Sequence, residues 1–202
     1  MPKMFAVAAG IAVLGAAGAA HAAASYAGVT LGAGLSGDLR GSLPAFGATG
    51  SSDLETGFVG GFVMGKGYDV GAGGRVSVEA EALYAKNDVD GADEDIASYG
   101  GFVNVRYMQL VRDRTIGPYV GLGIGYGHSE FKDGALNLTL KDDGFAWQAM
   151  AGVLVGVSDN MALDLGYRYI EPADIDDTLL GATPIGLDTR IHALTLGARF
   201  SF

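Results

Sequence analysis

The 202-residue sequence contains no cysteine, so neither a disulfide framework nor a thiolate metal centre is available to it. Basic residues are scarce: 13 Lys and Arg stand against 23 Asp and Glu, a formal charge of −10. Nucleic-acid binding relies on clustered cations that displace phosphate counterions, so that function class is excluded. The 34 glycines follow no G-x-y period, which rules out a collagen-like chain. Long apolar runs are missing beyond the first residues. No later stretch approaches about 18 uninterrupted apolar residues, so no spanning helix is expected.

The chain does open on an apolar run. MPKMFAVAAGIAVLGAAGAAHA sets one cation, Lys3, ahead of apolar residues from Met4 to Ala17 and closes on Ala20-His21-Ala22. That is the layout of a secretory signal peptide, with cleavage expected after Ala22 and Ala24 as second choice. The run is shorter than the roughly 20 apolar residues of a spanning helix. Residues 1–22 are read as a cleaved leader and 23–202 as one domain. His21 leaves with the leader and carries no chemistry.

What remains is alternation. Eight stretches, 26–35, 56–68, 75–87, 97–110, 117–128, 144–157, 161–170 and 188–202, are separated by the turn chemistry of GAGG, RDR, KDG, SDN and EPAD. Read with period two, one face is apolar: Val76, Val78, Ala80, Ala82; Val103, Val105; Val120, Leu122, Ile124; Leu163, Leu165; Leu194, Leu196. The other face is small or polar and carries charges of both signs: Arg75, Glu79, Glu81, Asn104, Arg106, Gln148, Asp164, Arg168 and Arg199. The first two stretches alternate more weakly and leave their register open.

A soluble β-sandwich is the competing architecture. It would hide the apolar face and show water a richly charged one, whereas here the second face is sparse in charge and rich in glycine. Such residues suit a narrow interior, where opposite charges close into a polar network and glycine makes room. The apolar face carries aromatics toward its ends, Tyr84, Tyr99, Tyr107, Tyr126, Trp147, Tyr167 and Tyr169, as a girdle at two lipid–water boundaries requires. The links alternate too: 69–74, 111–116 and 158–160 are short, while 36–55, 88–96, 129–143 and 171–187 are long. Short turns on one side, long loops on the other and an even strand number describe a closed sheet without lipid-exposed edges. The expected fold is all-β: an eight-stranded antiparallel transmembrane β-barrel in up-and-down meander order.

GPYVGLGIGYG, FAWQAMAGVLVGVSDNMALDLGYRYIEPADI and the final LTLGARFSF resemble the small outer-membrane β-barrels of the opacity-protein and OmpA-like transmembrane type. The resemblance covers all of residues 23–202. It implies export to the outer membrane of a Gram-negative bacterium. It also implies that Phe202 and Phe200, with Leu196, form the C-terminal signal read by the barrel-assembly machinery. The family has no shared catalytic residues and includes adhesins, surface antigens and proteins called porin-like. Because the chain closes on its eighth stretch, the peptidoglycan-binding domain of some members is not expected.

Three local features invite chemistry. His128 and Ser129 stand side by side in GHSEF, ahead of Glu130, and some eight-stranded outer-membrane barrels are lipid A hydrolases. Neighbours on a strand face opposite ways, so the two could not share a proton, and the family's deacylases set the pair two apart. The acidic run Asp88 to Asp95 lacks the glycine and terminal Glu positions of a helix-flanked calcium loop and reads as a solvated outer loop. His192 reads as an interfacial residue. We therefore expect no enzyme, no cofactor and no metal site, but an outer-membrane barrel whose outer loops meet the environment or a host ligand. Outer-membrane lipid and lipopolysaccharide are its other expected partners. The alternative is a narrow porin-like path for small solutes or ions through Glu79, Glu81, Arg106, Arg168 and Arg199; a lipid A-modifying hydrolase ranks third.

Overall fold

The computed structural model describes residues 24–43, 48–54, 56–88, 94–111, 115–133, 138–179 and 183–202. These form ten strands: β1 (Ala24–Leu43), β2 (Ala48–Leu54), β3 (Gly57–Gly71), β4 (Gly74–Asp88), β5 (Glu94–Gln109), β6 (Ile116–Asp133), β7 (Leu138–Gly156), β8 (Met161–Glu171), β9 (Ile175–Leu179) and β10 (Thr183–Ser201). All pairings are antiparallel, in the order β2-β1-β3-β4-β5-β6-β7-β8-β10-β9, and β1 pairs with β10 from Tyr26↔Ser201 to Ser42↔Gly186, closing the sheet. β2 continues the line of β3 against β1, and β9 continues the line of β8 against β10. The circuit is therefore an eight-stranded barrel, and closure leaves the membrane-level backbone fully paired.

Alternation decides the faces. On β6, Val120, Leu122, Ile124 and Tyr126 face outward, with Leu122 64% exposed, while Tyr119, Gly123 and Ser129 are buried. The same reading holds on β4, β5, β7, β8 and β10. The register of the first two strands, which the sequence left open, places Val29, Leu31, Phe58, Phe62 and Met64 outside and Thr30, Val59 and Val63 inside. An apolar surface this extensive is far larger than a water-soluble monomer exposes.

The strands are longer than their alternation suggested. Links expected as loops over 36–55, 129–143 and 171–187 are largely β-ladder, with Gly37–Leu43 pairing β2 and Glu130, Phe131 and Lys132 pairing Lys141, Leu140 and Thr139. Some 10 residues suffice to cross the membrane, so strands of 18–20 residues stand well clear of it on one side. Those segments, such as ATGSSDL and IDDTL, lack in sequence the apolar–polar alternation that betrays a membrane strand. EPAD is likewise not a turn between barrel strands. Glu171 ends β8, buried Pro172 and Ala173 interrupt the ladder, and β9 resumes; proline supplies no N–H to a ladder, which makes the break local. The expected leader (1–22) and its cleavage point lie outside the described residues. So does most of the acidic run, apart from the backbone pairing Asp88↔Asp95.

Candidate functional site

The interior is stacked in layers. Its middle is ionic. Glu79 of β4 accepts from Arg199 Nη1 (2.7 Å), Arg106 Nη1 (3.1 Å) and the Tyr26 hydroxyl (2.6 Å). Asp164 of β8 accepts from Arg199 Nε (2.8 Å) and the Tyr119 hydroxyl (2.7 Å), and lies 3.3 Å from Arg106 Nη1. Each carboxylate thus holds one tyrosine and shares two arginines. Arg106 also lies over the Tyr119 ring at 3.5 Å from its centroid, and Arg199 over Tyr26 at 5.2 Å.

A second group sits beside the first. Glu81 Oε2 accepts from Asn104 Nδ2 and Gln148 Nε2, both at 2.8 Å. Arg168 Nη1 donates to Gln148 Oε1 at 3.0 Å and lies 2.7 Å from Glu81 Oε1. That last pair is an ion contact whose angle misses hydrogen-bond geometry, since Oε1 counts no hydrogen-bond partner. Gln148 also donates to Asn104 Oδ1 at 2.8 Å. Glu79, Glu81 and Asp164 are balanced by Arg106, Arg168 and Arg199, so the buried layer is neutral. Arg75 takes no part: it pairs with Asp69 at 2.8 Å near the β3–β4 turn, where both are partly exposed.

Apolar groups close the layer on both sides. Toward the short turns, Met108, Tyr119 and Met150 pack with Leu110 and Leu154. Toward the long hairpins, Val59, Leu83, Ile96, Phe102, Phe131, Leu140, Ile170 and Ile191 form one cluster. This second plug was not anticipated. Leu83, Phe102, Ile170 and Ile191 lie on the inward-facing sets, where the charged residues point to a polar lumen, whereas Ile96, Phe131 and Leu140 fall in links expected as loops. Two further participants were missed. Tyr119 was visible on the inward face of its strand; Tyr26 was hidden by the weak alternation of β1. A void of about 10 Å³, room for one water, lies at the outer plug beside Leu83, Phe102, Gly127 and His128.

Outside, aromatics gather at the hairpin end of the lipid-facing wall. Phe58 meets Tyr84 (ring centroids 6.5 Å apart), Tyr99 meets His128 (5.0 Å) and Trp147 meets Tyr169 (5.1 Å). His192 lies between Tyr169 (5.2 Å) and Tyr167, whose hydroxyl is 2.6 Å from Nδ1. Tyr126 faces outward near the same end. Tyr107 stands at the opposite, short-turn end, bonded to Gln109, and so do Phe200 and Phe202, both exposed. The Phe202 N–H bonds to Ser25 O (2.9 Å), which fastens the last residue to the first strand.

The strand geometry separates His128 from Ser129. His128 points outward, with Nδ1 2.8 Å from Asp143, whereas Ser129 is buried and shares a hydrogen bond with Ser98 (3.1 Å). Beyond His128, Glu130 binds Lys141 (2.6 Å) and Lys132 (2.9 Å). The Lys141 bond, then the Lys132 bond, hold its carboxyl at a pKa of about 2. Among the described residues no group of three or more His, Asp or Glu is arranged to hold a metal ion.

Residues 6–202 match the family described as outer membrane protein beta-barrel domain. The outer membrane protein PagN of Salmonella typhimurium is 25% identical over a match covering 41% of this chain and 44% of PagN, less than half of that relative. Neisserial surface protein A superposes with a TM-score of 0.54 at 18% identity, covering 90% of this chain and 100% of that one. OprG of Pseudomonas aeruginosa gives 0.56 at 16% identity, over 89% and 95%. At such identities the two structures speak for the fold alone. The family match, spanning almost the whole sequence, agrees with a wall that is greasy outside and ionic within: this chain belongs to the outer membrane protein beta-barrel domain family and is an eight-stranded barrel of the Gram-negative outer membrane.

Proposed function

We propose that the protein is a non-enzymatic surface protein: a closed barrel anchors it, and the hairpins raised above the outer leaflet meet the environment or a host ligand. The observation that carries this reading is the layered interior. A neutral ion-pair layer held between two apolar plugs offers solutes no continuous polar route, and eight strands enclose only enough space for side chains. The outer ladders are then the part of the molecule able to engage partners. β1 runs on past its ladder with β3, which ends at Gly34, and Gly37–Leu43 pairs with β2 as roughly 20 Å of extra strand. A short-lived water path through Glu79, Arg106 and Arg199 is the competing reading, favoured by the ionic character of the middle layer. The separation of His128 from Ser129 counts against hydrolysis. The same reading assigns residues 1–22 to a removed leader, the outer aromatics to the lipid boundary, and Phe200 and Phe202 to assembly.

Planar-bilayer recording tests the choice. The purified barrel should give no steady conductance, and shortening the β1–β2 and β9–β10 hairpins should abolish adhesion to a cell or matrix layer while leaving heat-modifiable gel migration intact. Stable single-channel steps that change with Glu79→Ala or Arg106→Ala would replace this reading with transport. Release of acyl chains from lipid A that ceases in Ser129→Ala would replace it with hydrolysis.

A further inference from the structure

Among the described strands, β2 and β9 each pair on one side only, with β1 and with β10. Their other edges differ. β9 lies along β7, which covers it without forming a ladder. No described strand lies along the other edge of β2. Thr49, Gly50 and Ser51 are consecutive and so face both ways, yet all three are exposed, and a methyl placed on Gly50 would meet nothing within 4 Å. Such an edge presents alternate backbone N–H and C=O groups to any chain that can pair with them, and proteins commonly blunt it with lysine, proline or a bulge. ATGSSDL contains neither lysine nor proline, and its register with β1 runs unbroken from Gly37↔Leu54 to Leu43↔Ala48.

The surroundings of that edge are acidic. β2 continues the line of β3, whose other neighbour is β4, so a strand added to β2 would stand above the end of β4 at Asp88. The link that starts there holds Asp88, Asp90, Asp93, Glu94 and Asp95 and no base. On the ribbon itself Asp38, Asp53, Glu55 and Asp188 outnumber Arg40 and Arg190. Sixteen of the 23 acidic residues but only three of the 13 basic ones fall in the four links 36–55, 88–96, 129–143 and 171–187. A second copy of this chain would bring the same sign of charge to the edge and be repelled. We propose that the open edge of β2 takes an extended segment of a basic partner protein as an added strand. Main-chain hydrogen bonds supply the pairing, and lysine or arginine on the guest meets the acidic turn beside it. The inference rests on the reading of the hairpins as the part of the molecule that engages partners, and it names the class of partner.

The probe is a fluorescein-labelled decapeptide of alternating lysine and threonine, read by anisotropy against the barrel folded in zwitterionic detergent. It should bind saturably, and more weakly as salt is raised. The matching glutamate–threonine peptide should not bind. The lysine–threonine peptide with every backbone nitrogen methylated keeps its charge and loses its donors, and should bind about tenfold more weakly or worse, the scale of one or two lost hydrogen bonds. Successive residues of a strand turn their N–H groups to opposite edges, so either Gly50→Pro or Ser51→Pro strips a donor from the open one. At least one of the two should weaken binding by the same factor. Asp53→Lys leaves the backbone intact, reverses a charge beside the edge, and should weaken binding about threefold. Each variant is first shown to fold by heat-modifiable migration. The proposal is overturned if the methylated or the glutamate peptide binds as the lysine peptide does, or if every folded variant among the three binds like the wild type. A barrel that is dimeric in detergent and becomes monomeric with either proline would give the edge to a second copy and overturn it too. Peptide binding is read on the purified barrel and adhesion on cells. Adhesion that is lost on shortening the hairpins, together with a peptide that does not bind, therefore sinks this inference and leaves the surface-protein reading standing.

Discussion

At the scale of single residues, the central layer behaves as a closed account of charge. Removing one partner from a buried pair leaves the other unpaired, which costs about 3–5 kcal/mol. Glu79→Gln leaves Asp164 alone to balance Arg199 and Arg106, one buried positive charge in excess, and should lower stability by an amount in that range, measured by urea unfolding of the lipid-embedded barrel. At the β3–β4 turn the sign reverses. Ala72 sits at φ 48 between Gly71 (φ 87) and Gly73 (φ 78), a backbone region that an L side chain resists. Ala72→Gly should stabilise the barrel by up to about 1 kcal/mol in the same assay. The partners Glu79, Arg106, Asp164 and Arg199 were legible as inward charges of opposite sign. Which carboxylate meets which guanidinium was not, because pairing across the lumen depends on strand tilt and register, and Arg75 found Asp69 instead.

At the scale of elements, β6 shows why the glycines are where they are. Gly121, Gly123 and Gly125 stand in register with Arg106, Asn104 and Phe102 of β5, whose side chains lie across the bare backbone. A Cβ at Gly123 would run into Asn104 Oδ1 and reach Gln148 Cγ at 3.0 Å. Gly123→Val should therefore displace the Glu81 group and cost about 1–3 kcal/mol, with thermal migration shifts as the readout. The outward face of the same strand answers to lipid. Leu122→Arg puts a charge near the middle of the span and should cost about 2–4 kcal/mol in a folding titration into vesicles. Further out, the Glu130–Lys141–Lys132 contact joins β6 to β7. Its carboxyl pKa of about 2 is depressed from 4.5, so the stabilisation is full above the unfolded value and is lost as pH falls through the folded one. Amide protection in the Glu130–Lys141 ladder, taken relative to the intrinsic exchange rate at each pH, should fall between pH 4.5 and about 2, and the fall should vanish in Glu130→Gln.

At the scale of the whole molecule, strand number, meander order and sidedness could all be read from periodicity, because a barrel wall in lipid imposes a strict two-residue alternation. What escaped the sequence has one physical origin: it lies where that alternation stops carrying information. The hairpins continue as ladder through β2 and β9, whose sequences carry no two-residue alternation to mark them. The outer plug of Val59, Phe102, Phe131 and Ile191 presents apolar groups on the inward face, against the polar trend that identified the lumen.

Because the chain has no cysteine, single cysteines report position without competition. Nitroxides attached at Leu122→Cys, Leu194→Cys, Asn104→Cys and Gln148→Cys can be compared by power-saturation EPR in vesicles, with oxygen and a water-soluble nickel chelate as relaxants. Labels at 122 and 194 should respond to oxygen and not to nickel, and those at 104 and 148 to neither. Nickel access at 122 or 194, or ready nickel access at 104 and 148, would contradict a wall turned to lipid around a closed ionic interior.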